Sequence, residues 1–248
     1  MSLTFETFKS ILKDVELVQL FLELSDIDPS ANNNYAIRFA SQNGHTDVVK
    51  VLLADPRVDP SANDNYAIRL ASYNGHTDVV KMLLADPRVN PSVWDNYAIR
   101  RASEYGHTDV VKVLLADSRI DPSAEGNFAI HFASANGHTD VVKALLLDPR
   151  VTADNNYVIR WACANGFTAV VKMLLADHRL AQAKPDPSAD NNAAIRLAST
   201  NGHTDIVQAL HPSTTKDPQS AVQCVAALGF ASCSEHKGTS KVVWKKLV

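Results

Sequence analysis

Cysteine is scarce in this chain: Cys163, Cys224 and Cys233 are the only three among 248 residues. Being so few and so unevenly spaced, they exclude a disulfide framework and agree with a reducing compartment. Excess charge is missing too. With 24 basic and 27 acidic residues the formal net charge is -3, too small to steer the protein onto nucleic acid or an anionic membrane surface. No stretch approaches the roughly 18 uninterrupted apolar residues of a membrane-spanning helix. The opening MSLTFETFKSILKD carries acids where a signal peptide needs a basic region and then an apolar one. These absences describe a soluble, unsecreted protein, expected in the cytoplasm.

Catalytic patterns are lacking as well. There is no glycine-rich phosphate loop, and no serine sits in a strand-to-helix elbow that would expose a nucleophile. Carboxylates repeated at long intervals have no cleft to raise one pKa above another. The sequence therefore points away from an enzyme and from any cofactor.

What the chain has is repetition. The segment Asn33 to Ser61 returns almost unchanged 31 residues later. Tyr35, Tyr66, Tyr97 and Phe128 keep that step, after which the steps to Tyr157 and Ala193 are 29 and 36. The short step reflects VTADNN at 151–156, and the long one contains AQAKP at 181–185. A unit this small cannot bury its own apolar faces, so copies must stack into one continuous core.

Within one unit, Tyr66, Ala67, Leu70 and Ala71 share a helical face that ends before Asn74 and Gly75. Gly75 supplies the left-handed residue that closes a helix. A second helix starts at Thr77, whose hydroxyl is expected to cap a free N–H, with Asp78 in its first turn. Val79, Val80, Leu83 and Leu84 form its buried stripe, and Asp86 and Pro87 stop it. A DPS-type loop, read as a proline-stiffened Asx or Ser turn, leads to the next unit.

The recurring GHTDVVKVLL, with Ala-Ile-Arg before it, resembles the ankyrin repeat in a slightly shortened form, over about Glu16 to Leu210. The resemblance implies an all-α solenoid of antiparallel helix pairs with projecting loops, whose concave face binds partner proteins. Two departures stand out. Arg38, Arg69, Arg100, Arg160 and Arg196 occupy a position where the family usually has histidine, retained here only at His131. The glycine usual before the first helix is mostly Asn or Asp.

The expected organisation is an N-terminal capping unit at 1–30, then six repeats at 31–61, 62–92, 93–123, 124–152, 153–188 and 189–210. An irregular C-terminal cap and basic tail fill 211–248. In the capping unit, TFETFKSILK and ELVQLFLEL read as two helices, and near the C-terminus AVQCVAALGF reads as a helix covering the last repeat.

Several series invite a site. The arginines either tie the helix to loop carbonyls and to side chains such as Asp59, Asn90 and Asp121, or meet a ligand. His45, His76, His107, His138 and His203 are held roughly 10 Å apart by the thickness of a unit. That spacing favours bonds between backbone loops over a shared metal. The DPS acids are too few per loop for a hard cation, and CVAALGFASC with His236 lacks the short zinc knuckle. No metal site is expected. Cys163, where other units have Ser, reads as a small buried side chain.

Variation against the fixed frame is more telling. Large aromatics at the end of the first helix and at the loop tip occur only in units two and three. Trp94, Tyr73 and Tyr105, with Glu104 nearby, are candidate partner contacts, the other reading being drift on a tolerant surface. Arg101 joins them because its equivalents Phe39, Leu70, Phe132, Trp161 and Leu197 are apolar. It either snorkels past the core or gains from a ligand. The function read from this is a non-catalytic scaffold binding a protein or peptide. The alternative is an adaptor whose tail KVVWKKLV, with Lys241, Lys245 and Lys246 around Trp244, docks to a larger assembly or membrane surface while the repeats hold cargo. Oligomeric state stays open, since a second copy could complete an imperfect C-terminal cap.

Overall fold

The computed structural model describes residues 8, 10–23, 28–151, 155–176 and 189–210, without the side chains of 155–157 and 189–192. All regular structure among them is helical. The thirteen helices are α1 (Val15–Glu23), α2 (Ala31–Gln42), α3 (Thr46–Ala54), α4 (Ala62–Tyr73), α5 (Thr77–Ala85), α6 (Val93–Glu104), α7 (Thr108–Leu115), α8 (Ala124–Ala135), α9 (Thr139–Leu146), α10 (Asn155–Ala164), α11 (Thr168–Ala176), α12 (Ala189–Thr200) and α13 (Thr204–Leu210). Of the expected first helix of the capping unit, residues 4–7 and 9 lie outside the described residues and 11–13 form a turn, while the C-terminal helix and tail lie wholly outside them.

The first helices α2, α4, α6 and α8 begin unusually. Asn32, Asn33 and Asn34 have φ of 54, 58 and 56°, a full left-handed turn, and only at Tyr35 does the right-handed helix start. Asn63, Asp64 and Asn65 repeat this, as do Trp94, Asp95 and Asn96. Left-handed backbone costs an ordinary L-residue about 1–2 kcal/mol, and Asn and Asp are the non-glycine types that visit it readily. This is why Asn and Asp stand in place of the expected glycine.

The helix closes in a Schellman arrangement: Gly75 has φ of 80°, its N–H reaches Ser72 O, and His76 N–H reaches Ala71 O at 2.9 Å. The second helix corrects one expectation. His76, not Thr77, holds the cap position, and no side chain caps the helix. In the equivalent turn Thr46 turns its hydroxyl back to donate to Gly44 O at 3.3 Å. The DPS loops are Asx turns as expected: Asp59 Oδ1 accepts from Ser61 N–H at 2.9 Å and from its hydroxyl at 2.6 Å.

The chain forms two compact units, residues 1–133 with 140–152, and residues 134–139 with 153–248. In the first, α2, α4 and α6 stack in series, α1, α3, α5 and α7 form a parallel series, and each first helix packs on its own second helix. Ala67, Ile68 and Ala71 from α4 and Val79, Val80 and Leu83 from α5 are fully buried, and their counterparts in neighbouring repeats match them. In the second unit, α10 packs on α12, α11 on α13, and both pairs close on themselves.

Candidate partner-binding face

The arginine series is resolved where its donors can be followed. Arg38 Nε donates to Asn33 O at 2.8 Å and its NH2 to Asn32 O at 3.0 Å. Arg69 does the same to Asp64 O and Asn63 O, and Arg100 donates to Trp94 O at 2.8 Å. Their targets are the carbonyls of the left-handed turn in the same repeat, which a fork of donors from the next helical turn can reach together. The guanidinium groups of Arg38 and Arg69 also lie between rings, and that of Arg100 lies by one. Arg38 is 6.0 Å from the Tyr35 centroid and 5.2 Å from Tyr66, and Arg69 is 5.4 Å from Tyr66 and 5.6 Å from Tyr97. Arg100 is 5.0 Å from Phe128. An alternating ladder of rings and cations thus lines the first helices of the first unit.

The side chains of Asp59, Asn90 and Asp121 are not what these arginines hold. The backbone N–H groups of those residues are instead accepted by Asn34, Asn65 and Asn96 Oδ1 at the start of the same repeat, at 2.7, 2.7 and 2.8 Å. These three asparagines are buried, each at 7–8 % exposure. The constant Asn before every first-helix aromatic was the signal for this staple, and sequence reasoning passed over it.

A second staple was missed at the far end of repeats two, three and four. Arg88 pairs with Asp86 at 2.6 Å and donates to Val58 O of the repeat before at 2.8 Å. Arg119 and Arg150 repeat both bonds. The hydrogen bond to its arginine holds each of Asp55, Asp86 and Asp117 below the usual carboxylate pKa, against a smaller opposing effect of burial.

Three of the five histidines bridge backbone loops, as expected. Nε2 of His76 lies 3.0 Å from Gln42 O, that of His107 2.8 Å from Tyr73 O, and that of His203 3.2 Å from Ala164 O. Their rings also occupy the space that a Cβ would need on the glycine of the previous repeat. Cys163 is fully buried, and desolvation pushes its thiol pKa up to about 12, so it is inert. Among the described residues no three His, Cys, Asp or Glu side chains converge on a cation position.

The candidate partner contacts fall into two groups at the two ends of α6, with Tyr73 coming from the end of α4. Trp94, 53 % exposed, lies at the loop tip with its ring 3.7 Å from the Arg69 guanidinium and edge-on to Tyr97 at 5.9 Å. It covers Arg69, which is 4 % exposed. It also holds φ of 53°, a conformation unfavourable for tryptophan. Tyr105, 46 % exposed, lies at the other end, roughly 12 Å further along the helix axis than Tyr97. Its hydroxyl is hydrogen-bonded to that of Tyr73 at 3.3 Å, and this pairing raises the Tyr105 pKa above its ordinary value. Arg101 and Glu104 pair with each other between the two groups, and Arg101 lies 5.2 Å from the Tyr97 ring.

The row that contains Arg101 is not core. Phe132, Trp161 and Leu197 are 38, 45 and 38 % exposed, and Phe39 and Leu70 are half-buried. Arg101 therefore takes a position whose apolar equivalents are half-buried or exposed, and it has no core to snorkel past. Sequence periodicity marks which residues share a face; it does not mark how far that face is covered.

Helix pairs joined by constant turns and stapled repeat to repeat define a helical tandem-repeat protein. A family model described as ankyrin repeats in three copies matches residues 9–95 and again 68–158. The chain belongs to the ankyrin repeat family. Repeats of this family are in general protein–protein interaction modules and typically non-catalytic. No curated protein matches the chain. Among the described residues no helix is long and apolar enough to cross a membrane.

Proposed function

We propose that the chain is a non-catalytic, cytoplasmic scaffold that binds a protein or peptide through the first helices and loop tips of its first unit. Trp94, Tyr73, Tyr105, Glu104 and Arg101 make the contact, with 31–210 as the repeat array between caps at 1–30 and 211–248. The observation that carries this reading is the exposure of Trp94 and Tyr105 at both ends of one helix, 53 and 46 %. Both positions hold asparagine elsewhere: Asn32 and Asn63 match Trp94, while Asn43, Asn74, Asn136, Asn165 and Asn201 match Tyr105. Large rings at positions that fold equally well with asparagine are suited to anchoring a partner, and truncating such an anchor costs about 2 kcal/mol or more of binding.

The double variant Trp94→Asn/Tyr105→Asn borrows the chain's own alternatives and should keep its helical circular dichroism and melting temperature. Affinity capture from source-cell extract, wild type beside variant, is the test. A protein held by wild type and lost by the variant supports the reading. Equal capture by both removes these side chains from the site.

A further inference from the structure

We infer that Asn201–Gly202, the turn after α12, is a self-modifying site at which the chain converts its own asparagine to aspartate and isoaspartate. The pair Asn-Gly occurs five times, at Asn43, Asn74, Asn136, Asn165 and Asn201, and the third repeat has Tyr105–Gly106 instead. A following glycine makes an asparagine reactive, because it carries no side chain to screen its nitrogen. The glycine nitrogen forms a bond to the asparagine Cγ and gives up its proton to solvent, while Nδ2 takes up a proton and leaves as ammonia. Water then opens the cyclic imide at either carbonyl, giving aspartate or isoaspartate, with nothing oxidised or reduced.

The folded turn blocks this reaction in the inner repeats. The five-membered imide needs the asparagine Cβ eclipsed with the glycine nitrogen about the Cα–C bond. Asn43 and Asn74 have ψ of 3 and 0°, which sets their own backbone nitrogen there and staggers Cβ away. The attacking N–H is engaged as well, Gly44 with Ser41 O and Gly75 with Ser72 O, both at 3.4 Å. The leaving amide is tied, Asn43 Nδ2 donating to Phe39 O at 2.8 Å and Asn74 Nδ2 to Gln42 O at 3.0 Å. A ring then seals the turn. The nearest atoms of His76, His107, Phe167 and His203 lie 2.5 to 2.6 Å from where a Cβ would stand on Gly44, Gly75, Gly137 and Gly166. Reaction therefore requires local opening, and its rate follows how often each turn opens.

Asn201–Gly202 keeps the hydrogen bonds and lacks the seal. Gly202 N–H donates to Ser199 O at 3.1 Å, and Asn201 Nδ2 donates to Ala164 O at 2.6 Å. No described atom lies within 4 Å of a Cβ built on Gly202, which is exposed where the other four glycines are half-buried. Opening this turn displaces no described ring. Moreover, α12 and α13 pack on α10 and α11, no described helix follows them, and α13 has 7 residues. The product also works against reclosure: a carboxylate replaces the donor to Ala164 O and stands at the negative end of the α12 dipole. Isoaspartate adds a methylene to the backbone of a turn in which His203 N–H reaches Ala198 O at 2.8 Å. Modification thus loosens the joint between repeats five and six in one direction.

The test is to age the full chain in mildly alkaline buffer made with oxygen-18 water and to follow the tryptic peptides that carry the five sites, one apiece, by mass spectrometry. Asn201 should convert at least about tenfold faster than Asn43, Asn74, Asn136 and Asn165, a difference of about 1.4 kcal/mol in opening free energy. Its product should be a mixture of aspartate and isoaspartate, each carrying a labelled oxygen. In urea the five rates should converge, because the fold and not the neighbouring residues ranks them. Conversion of Asn201 no faster than at the other four, aspartate without isoaspartate, or the same ranking in urea overturns the inference. Asn201→Asp carries the charge of the product and should exchange the amide hydrogens of α13 faster than wild type; unchanged exchange overturns the loosening of the joint.

Discussion

The turns at Gly75 and Gly137 receive different rings from the repeat that follows. At Gly75 the visitor is His107, whose Nδ1 sits 2.6 Å from where a Cβ would be and whose Nε2 meets Tyr73 O at 2.8 Å. At Gly137 it is Phe167, which fills the same space to 2.6 Å and has no nitrogen to offer. The carbonyl that loses the imidazole, Ala135 O, keeps a long bond of 3.4 Å from Asn165 Nδ2. Shape and hydrogen bonding are thus separable at this joint. The glycine and a flat ring are required together, while the nitrogen adds a bond that one joint does without.

The largest effect should come from breaking the shape. Gly75→Ala forces a side chain into left-handed backbone at φ of 80° and against the His107 ring. The backbone penalty and the overpacking together should cost about 3 kcal/mol or more. Urea unfolding would check it; a loss under about 1 kcal/mol would mean the ring moves aside freely.

The opposite end of each repeat is joined by charge and should respond to acid. Asp55, Asp86 and Asp117 titrate below their ordinary value of 3.8 because each accepts from its own arginine. A depressed folded pKa contributes stability that is complete above the unfolded value and lost as pH falls through the folded one. Melting temperature should therefore hold down to about pH 5 and drop below pH 4. Asp86→Asn should lower the plateau and flatten the acid limb. A variant whose acid limb keeps the wild-type slope would show that the pair is not what titrates.

Exchanging the rings tests the smaller contribution. His107→Phe should cost about 1 kcal/mol, the net worth of one hydrogen bond, and Phe167→His should return a similar amount. Asn165 already contacts Ala135 O, so the gain at Phe167 should be the lesser of the two. Equal and negligible shifts from both exchanges would leave the ring shape as the whole of the joint.

These joints also show what could be read before the fold was seen. Gly75, His107 and the Asx turn at Asp59 were legible because each pairs a special residue type with a local job that its spacing reveals. The tip geometry was not, since an asparagine that adopts left-handed backbone looks in sequence like any loop asparagine. Arg69 was half legible: its structural role followed from repetition, but its targets are main-chain carbonyls, which every residue carries and no motif announces. The Asp86–Arg88 staple lay in a stretch explained by its proline, so its arginine drew no notice. Trp94 and Tyr105 stood out as large aromatics confined to units two and three, yet the 12-residue helix that separates them had to be placed before they could be seen as two contacts.

The smallest expected effect concerns the row of hydroxyls behind these joints. Ser41, Ser72, Ser103 and Ser134 are fully buried on the first helices, and no described group pairs with their Oγ atoms. In the fifth repeat Cys163 takes the position with no polar demand of similar strength, and it is just as buried. A buried hydroxyl without a partner carries its desolvation cost uncompensated, so replacing it with a methyl should stabilise. Ser72→Ala should raise stability by up to about 1 kcal/mol, offset in part by the small void left behind. If Ser72→Ala destabilises by a comparable amount, the hydroxyl is bonded in solution, and the serine row is a further staple of the repeat.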